Sequence, residues 1–323
     1  METIQDLPGR ECHSTLHGEY RVSRPQKTNV ATSVAARLLK IAQSNREDYQ
    51  YLLMRYALER LLYRLSQSPY SSQFIVKGAF LFLIWTKERH RPTKDLDLMS
   101  ARQLSEEELK RIFGSVCHIG GEDGLSFLPE SISTEEIREG DSYGGVRIKV
   151  RTLLGNKKIP IQMDVGFGDA VNPSPISSVF PTLLEFPAPE LLTYPKETVV
   201  AEKYEIMVSL GITNSRMKDY FDLWSLSQHF QFEGKSLTKA VKATFHRRKT
   251  LIPESIPTGL SDEFVMHKSS QWKAFLNRIG LSNDSLPLES VVRILQVFLL
   301  PVSQTLHQEK SFSKKWTTKE WKE

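Results

Sequence analysis

The feature that most constrains this chain is residues 95–99, DLDLM, in which aspartate and leucine alternate. Strict alternation predicts a β-strand, because successive side chains of a strand point to opposite faces. The leucines then enter a core, whereas Asp95 and Asp97 share the other face, with their α-carbons roughly 7 Å apart. Two carboxylates this close repel each other unless a cation lies between them, and Mg²⁺ prefers oxygen ligands. Taken alone, the segment also fits an exposed strand face with two unrelated acids.

A second candidate strand favours the metal interpretation. In residues 159–167, IPIQMDVGF, apolar side chains occupy one face and Asp164 lies on the other. Three carboxylates from neighbouring strands are enough to hold two Mg²⁺ ions about 3.5–4 Å apart, the arrangement used for phosphoryl or nucleotidyl transfer. The alternative for Asp164 is a strand-end carboxylate that caps the following turn. We predict a metal site formed by Asp95, Asp97 and Asp164.

A glycine ends the apolar run that precedes these aspartates. Residues 74–76 are β-prone, Gly78 follows, and residues 79–87 are long enough for a short helix, although periodicity does not exclude a strand. A glycine between a strand and a helix lets backbone N–H groups approach a phosphate. Alone it is weak evidence, but with two aspartates on the next element it predicts a phosphate site beside the metal site.

One lysine lies in the middle of an apolar helical stripe. The helical neighbours of Lys203 are Val199, Val200, Ile206, Met207 and Leu210. An unpaired buried ammonium is costly, so the lysine either reaches solvent or meets an anion, which can be a triphosphate or a carboxylate. Asp219 and Asp222, three residues apart on the next predicted helix, could orient this lysine or accept from a substrate hydroxyl. Alternatively, they are a pair favoured by the helix dipole.

Composition sets broad limits on the class of protein. The chain has 323 residues, 40% hydrophobic and 25% charged, with a formal charge of +5, values of an ordinary soluble protein. The basic surplus, HRRK at residues 246–249 and the lysines near the C-terminus fit an RNA partner, and they fit a solvated surface equally well. Cys12 and Cys117 form no CxxC motif, which argues against a disulfide framework or a zinc site. No membrane span or signal sequence is evident, so we expect a cytoplasmic protein.

The pattern along the chain predicts three parts. Residues 1–28 are polar and predict a flexible N-terminal arm, residues 29–190 a core, and residues 191–323 a helical C-terminal domain. SNRE at residues 44–47 predicts a capping box that opens a helix ending near Tyr63. SEEE at residues 105–108 predicts another helix start. The segments GVRIKVRTLL and KIPIQMDVGF, around GNKK, predict a β-hairpin.

Six segments resemble the AbiEii/AbiGii toxin family, nucleotidyltransferases of the DNA polymerase β-like superfamily found in toxin–antitoxin systems. They are VKGAFLFL, RPTKDLDL, YGGVRIKV, IPIQMDVGFGD, YPKETVVAEKYEIMV and NSRMKDYFDLW, which span roughly residues 74–230. Each is weak alone, but six in the family's order are specific. The family usually has Gly-Gly or Gly-Ser where this chain has Gly78-Ala79, so a phosphate contact from a serine is absent here.

The resemblance implies a fold and a set of site residues. The fold is α+β, a nucleotidyltransferase core with a small mixed sheet flanked by helices and a helical C-terminal half. Asp95 and Asp97 would bind the metal–triphosphate, and Asp164 would complete the second Mg²⁺ site and help to deprotonate the attacking hydroxyl. Lys203 would hold the triphosphate, and Asp219 would belong to the last catalytic motif. The predicted nucleotide-binding residues are Lys77, Gly78, Arg91, Thr93, Lys94, Lys203 and Asp222.

The resemblance also implies a reaction and its partners. The expected activity is Mg²⁺-dependent transfer of NMP from an NTP to RNA, notably the 3′ end of tRNA, which halts translation. A cognate antitoxin is the expected protein partner. Three alternatives stay open at this point: transfer to a protein hydroxyl, for example on the antitoxin; a catalytically silent module that binds RNA or a partner; and, more distantly, a metal-dependent nuclease.

Overall fold

The computed structural model describes residues 27–86, 90–139 and 143–323. The predicted arm, residues 1–28, lies outside these ranges apart from its last two residues, which belong to the first helix. The helices are α1 Lys27–Asn45, α2 Tyr49–Ser66, α3 Leu81–Thr86, α4 Glu106–His118, α5 Lys196–Leu210, α6 Met217–His229, α7 Gly234–Arg248, α8 Asp262–Arg278 and α9 Leu288–His307. The strands are β1 Phe74–Lys77, β2 Asp95–Ser100, β3 Leu125–Glu139, β4 Tyr143–Leu154, β5 Lys157–Phe167, β6 Ile176–Val179, β7 Glu190–Thr193, β8 Phe232–Glu233, β9 Lys315–Trp316 and β10 Trp321–Lys322.

The first seven strands form one mixed sheet in the order β3-β4-β5-β2-β1-β7-β6. The pairs β2–β5 and β1–β7 are parallel, and the others are antiparallel. On the face covered by α2 and α4, the alternating leucines of β2 and the apolar residues of β5 are buried. The opposite face of the same strands carries the aspartates. The α+β class and the mixed sheet flanked by helices are therefore confirmed.

Most of the predicted local elements are present. The alternating segment forms β2, the predicted hairpin forms β4 and β5 around a turn at Gly155, and the run after Gly78 is a short 3₁₀ turn followed by α3. Ser105 caps α4 in a complete capping box with Glu108. The capping box predicted at residues 44–47 is wrong, because Ser44 lies in the last turn of α1 and Asp48 caps α2 through the Tyr51 N–H.

The C-terminal part is mainly helical, as predicted. Helices α5, α6, α7 and α9 pack against one another, and the last residues add a small sheet of β8, β9 and β10. Trp316 and Trp321 pack on Phe298 in the core of this part. The division at residue 190 stays a prediction. Among the described helices, none is long and apolar enough to cross a bilayer.

Candidate active site

A row of charged residues crosses the sheet on the face opposite the helices α2 and α4. The strand register places Glu135, Arg147, Asp164, Asp97 and Lys77 directly opposite one another on β3, β4, β5, β2 and β1. We call this set the charge row. The signs alternate except at its centre, where two aspartates are neighbours. Like charges directly opposite across two strands are destabilising. The row holds three acids and two bases, so its centre has a deficit of positive charge.

The protonation behaviour of the aspartates agrees with this deficit. Burial raises the pKa of Asp97 above its usual range; Lys77 and Lys218 oppose this rise, and the neighbouring carboxylates of Asp164 and Asp95 add to it. Burial also raises the pKa of Asp95, again with a contribution from Asp164. The Gln162 side chain donates to Asp95 Oδ1 at 2.9 Å, which fixes that carboxyl without supplying charge. A divalent cation would offset both shifts, because it stabilises the ionised form.

The third aspartate is held by an arginine. Arg147 donates from Nε to Asp164 Oδ1 at 2.9 Å and from Nη2 to Oδ2 at 2.8 Å. Within the described part of the chain, no three acidic, histidine or cysteine side chains are grouped as a ready metal site. The donor set nevertheless fits Mg²⁺, since Asp95, Asp97 and Asp164 share one face of adjacent parallel strands and all ligands are oxygen.

Gly78 lies directly against the central carboxylate. Its φ is +74°, and a Cβ at this position would lie 1.9 Å from Asp97 Oδ2. The backbone conformation and the missing side chain are both needed for β1 and β2 to bring this carboxylate into place. A glycine at this position is thus required by packing as well as by any contact with phosphate.

A second group of charges surrounds Lys203, which lies on α5. Its ammonium donates to Asp219, and it lies 2.9 Å from Asp222 Oδ2. Arg91 makes a bidentate pair with Asp222 at 2.7 and 2.8 Å, and His90 Nε2 lies 2.8 Å from Asp222 Oδ1. We call these five residues the lysine cluster. Its lysine is thus paired with carboxylates, one of the two outcomes that the sequence left open.

The lysine cluster is neutralised within the chain. Burial alone would raise the pKa of Asp222, but Lys203 and Arg91 hold it well below its usual range. Burial opposes the ionisation of Asp219 too, yet Lys203 and Arg216 lower its pKa. The Arg216 guanidinium donates to Asp219 Oδ2 at 2.8 Å. Each of these carboxylates is therefore ionised in the folded chain because a cation is built in beside it.

Several residues predicted to bind nucleotide have other contacts. Asp222 is 1% exposed and enclosed by the lysine cluster, which favours a positioning role over the predicted nucleotide contact. Arg91 faces Asp222 with its guanidinium. The Thr93 hydroxyl donates to the Asp95 carbonyl at 3.2 Å, and Lys94 is exposed. The last two residues line neither of the cavities described next.

Two adjoining cavities meet at Asp97. The larger, about 470 Å³, lies between the ends of β4 and β5 and helix α5, and Asp164 is part of its wall. The smaller, about 130 Å³, is lined by Gly78 and by the lysine cluster residues Arg91, Lys203 and Asp219. Positive side chains predominate in the smaller cavity, where Lys77, Arg91, Lys203, Arg216, Lys218 and Arg248 all contribute. A phosphate chain fits such a lining, because each of these groups donates hydrogen bonds to anions.

The sequence reasoning missed a buried network that joins the sheet to α5 and α7. Lys77 Nζ lies 3.0 Å from Asp169 and 3.6 Å from Glu202, and Arg248 lies 2.8 Å from Glu205 and 3.2 Å from Asp169. Burial would lower the pKa of Lys77, but Glu202, Asp169 and Asp97 together raise it. The acids of this network, Asp169, Glu202 and Glu205, lie close to the predicted site residues in sequence. Their cationic partners lie too far along the chain for the pairing to be recognised from the sequence.

Arg147 is not among the predicted site residues, although the sequence is enough to place it on the correct face of its strand. It lies in the predicted hairpin, alternating with apolar residues, so strand periodicity places it on the same face as Asp164. The sequence of HRRK at residues 246–249 fits an RNA-binding surface and an ordinary solvated surface equally well. Its Arg248 is instead partly buried and paired with carboxylates of α5.

Comparison with known proteins identifies the family. The family model described as "Nucleotidyl transferase AbiEii toxin, Type IV TA system" matches residues 60–297. JHP933 from Helicobacter pylori is a structural neighbour with 16% sequence identity and a TM-score of 0.45, covering 81% of this chain and 94% of its own. Another H. pylori crystal structure, of a candidate nucleotidyltransferase, has 16% identity and a TM-score of 0.43, covering 81% and 96%. No curated protein matches. The chain belongs to the AbiEii family of nucleotidyltransferase toxins, enzymes of type IV toxin–antitoxin systems that use an NTP and have an antitoxin partner.

Proposed function

We propose that this toxin transfers NMP from an NTP to a hydroxyl of RNA in an Mg²⁺-dependent reaction, with the 3′ end of tRNA as acceptor. Such a reaction would take place in the cytoplasm and would block translation. One observation carries the proposal. Asp97 and Asp164 lie directly opposite each other on parallel strands, where two cavities meet.

The metal ligands in this proposal are Asp95, Asp97 and Asp164. When bound, one or two Mg²⁺ ions would neutralise the triphosphate and favour in-line displacement at the α-phosphorus. The chain's own contribution is to hold three carboxylates on one face of two hydrogen-bonded strands. This rigid spacing comes from the β2–β5 register and from the space that Gly78 leaves for Asp97.

Lys203 and its neighbours would position the triphosphate. A lysine ammonium has three N–H groups, and two of them face Asp219 and Asp222. The third remains for a phosphate oxygen in the smaller cavity, which Lys203 lines. The aspartates hold the ammonium in one orientation, so less entropy is lost when the substrate binds. Gly78 would offer its backbone N–H to the same phosphates.

The acceptor hydroxyl oxygen forms a bond to the α-phosphorus of the NTP, and the bond from that phosphorus to the oxygen bridging to the β-phosphate breaks. Pyrophosphate leaves with the bonding electron pair. The hydroxyl proton passes to Asp164, which lines the larger cavity where the acceptor would enter.

The test is incubation with each α-labelled NTP and total cellular RNA, followed by separation of RNA and protein. We expect label at the 3′ end of lengthened tRNA with the wild-type protein and none with Asp97→Asn. Asp262→Asn, the same change at the start of α8, is the control and should label normally. Label confined to protein would replace the RNA acceptor by a protein hydroxyl. Shortened RNA would indicate a nuclease. Absence of label from both RNA and protein with every NTP would contradict the proposal.

A further inference from the structure

Arg147 lies between two carboxylates of the charge row. Its Nε and Nη2 bind both oxygens of Asp164 on β5, and its Nη1 lies 3.6 Å from Glu135 Oε1 on β3. Both carboxylates are its direct cross-strand partners. The arginine side chain is 31% exposed, so it has room to move at the surface of the sheet. One guanidinium is thus shared, unequally, between a proposed metal ligand and a second acid.

The observed pairing competes with metal binding. Mg²⁺ binds carboxylate oxygens at about 2.0–2.1 Å, and both oxygens of Asp164 already accept from Arg147. An ion on either oxygen would lie close to the guanidinium, where two positive charges repel each other. Each oxygen of Asp164 keeps a second lone pair for a metal, but the bidentate pair weakens metal binding as long as the guanidinium stays in this position.

Glu135 offers the arginine a second partner at small cost. It lies on the far side of Arg147 from Asp164 and is half-exposed, and its other ion-pair partner is Lys149 at 3.0 Å. A rotation of the guanidinium toward β3 would shorten a contact that already exists and would leave Asp164 with its charge uncompensated. No backbone movement is required, because the three residues are in register.

This inference rests on the proposed metal-dependent function and deepens it. We propose that Arg147 is a built-in counter-ion that neutralises Asp164 until a divalent cation binds, and that it then turns to Glu135. Before metal binds, the arginine limits the repulsion at the centre of the charge row. After metal binds, the same side chain leaves the site without departing from the sheet. The affinity for metal is consequently set in part by a residue that never contacts the metal.

The experiment measures Mn²⁺ binding to the full-length protein without nucleotide, by calorimetry and by electron paramagnetic resonance. Arg147→Gln should bind Mn²⁺ roughly threefold to fivefold more tightly than wild type, the effect of removing one partly exposed ion pair. The matched control is Lys149→Gln, which removes the same charge from the same face of the same strand, two residues away, and should stay within about twofold. Lys149 pairs with Glu135 and not with Asp164.

A double-mutant cycle tests the second partner. Glu135→Gln should weaken Mn²⁺ binding, because Arg147 then has no alternative to Asp164, and this effect should vanish in the Arg147→Gln background. In EDTA, Arg147→Gln should melt at a lower temperature than Lys149→Gln, and Mn²⁺ should raise its melting temperature by more than it raises that of wild type. Should Arg147→Gln not fold, Arg147→Lys keeps the charge, loses the bidentate geometry, and should shift the affinity in the same direction by less.

Three results would overturn the inference. Equal Mn²⁺ affinities of wild type and Arg147→Gln would show that Arg147 is not a counter-ion, although the metal site itself would stand. Equal increases in Mn²⁺ affinity in Arg147→Gln and Lys149→Gln would show that the effect comes from the general charge of the surface and not from the pair with Asp164. Absence of Mn²⁺ binding by wild type would remove the metal site itself, and the labelled-NTP assay would then decide separately whether transfer occurs.

Discussion

The charge row contains Asp97, and the lysine cluster lines the smaller cavity beside it. The pKa values of the acids in these two regions are shifted in opposite directions. In the lysine cluster, burial is offset by built-in cations, and the pKa values of Asp219 and Asp222 are lowered. In the charge row, burial and like-charge neighbours raise the pKa of Asp97. The lysine cluster therefore balances its own charges, whereas the charge row keeps an excess of negative charge.

The contrast separates a supporting structure from a binding site. A buried acid with matched cations holds elements together, and removing one partner leaves an uncompensated charge. A buried acid without enough cation destabilises the fold, and where such an acid lines a cavity a ligand can supply the missing charge. By this criterion we infer that the lysine cluster orients Lys203, and we propose the centre of the charge row as the site for metal and substrate.

The largest expected effect comes from Asp97→Asn. It should lower NMP transfer by more than about a thousandfold, because it removes a proposed metal ligand at the reacting centre. It should also raise the unfolding temperature in EDTA, since repulsion with Asp164 disappears. Labelled-NTP incorporation and calorimetric melting measure the two effects. A loss of stability in this variant would contradict the proposed difference between the two regions.

Neutralising an acid of the lysine cluster should destabilise the fold, the opposite of the effect expected for Asp97→Asn. Asp222→Asn leaves Lys203 and Arg91 without their shared carboxylate, so we expect a loss of about 3–4 kcal/mol in the free energy of unfolding. Urea denaturation monitored by circular dichroism measures it, with Asp262→Asn as the control. If Asp222→Asn lost transfer activity at full stability, the residue would act in the reaction itself and the cluster would not be a support.

Glu59 shows that a raised pKa alone does not mark a site. It is buried on α2, where desolvation raises its pKa to about 7 despite Arg60 and a hydrogen bond from the Leu183 N–H. Because the folded pKa lies above the unfolded one, stability should fall as the pH rises from about 4.5 to about 7, by up to about 2 kcal/mol between pH 5 and pH 8. Glu59→Gln should remove this dependence in urea titrations at several pH values. An unchanged pH profile would refute the assignment.

The smallest effect is expected for Lys94, which the family resemblance places in the nucleotide-binding motif. It is exposed and lines neither cavity. Lys94→Gln should change transfer by less than about threefold and stability by less than about 0.5 kcal/mol. The apparent KM for NTP is the decisive measurement. A tenfold rise would show that the nucleotide extends beyond the two cavities.

The sequence predicts this site well where the information is local. Alternation alone gives the faces of β2 and β5, and hence which way Asp95, Asp97 and Asp164 point. A lysine in an apolar stripe predicts a cation that either reaches solvent or meets an anion, and Lys203 meets two carboxylates. These inferences succeed because a strand or helix fixes the direction of each side chain without reference to the rest of the fold.

The sequence was less informative where partners are distant or a pattern occurs by chance. Strand β3 is rich in exposed charged residues near its end and lacks the alternation that marks a half-buried strand. Arg248 looked like a surface residue, because its acidic partners are tens of residues away. The pattern at residues 44–47 matched a capping box, but Ser44 was already inside α1. Cross-strand order and ion pairing depend on tertiary structure.

Gly78 gives this toxin a point of weakness that involves no charged group. Because a Cβ at this position would lie 1.9 Å from Asp97 Oδ2, a single added methyl group must push the carboxylate out of place. Gly78→Ala should therefore yield a harmless protein that keeps every acid and base of the parent. A cell under pressure to disarm such a gene would need one nucleotide change at this codon, and the silenced chain would still look catalytic to any search for its aspartates.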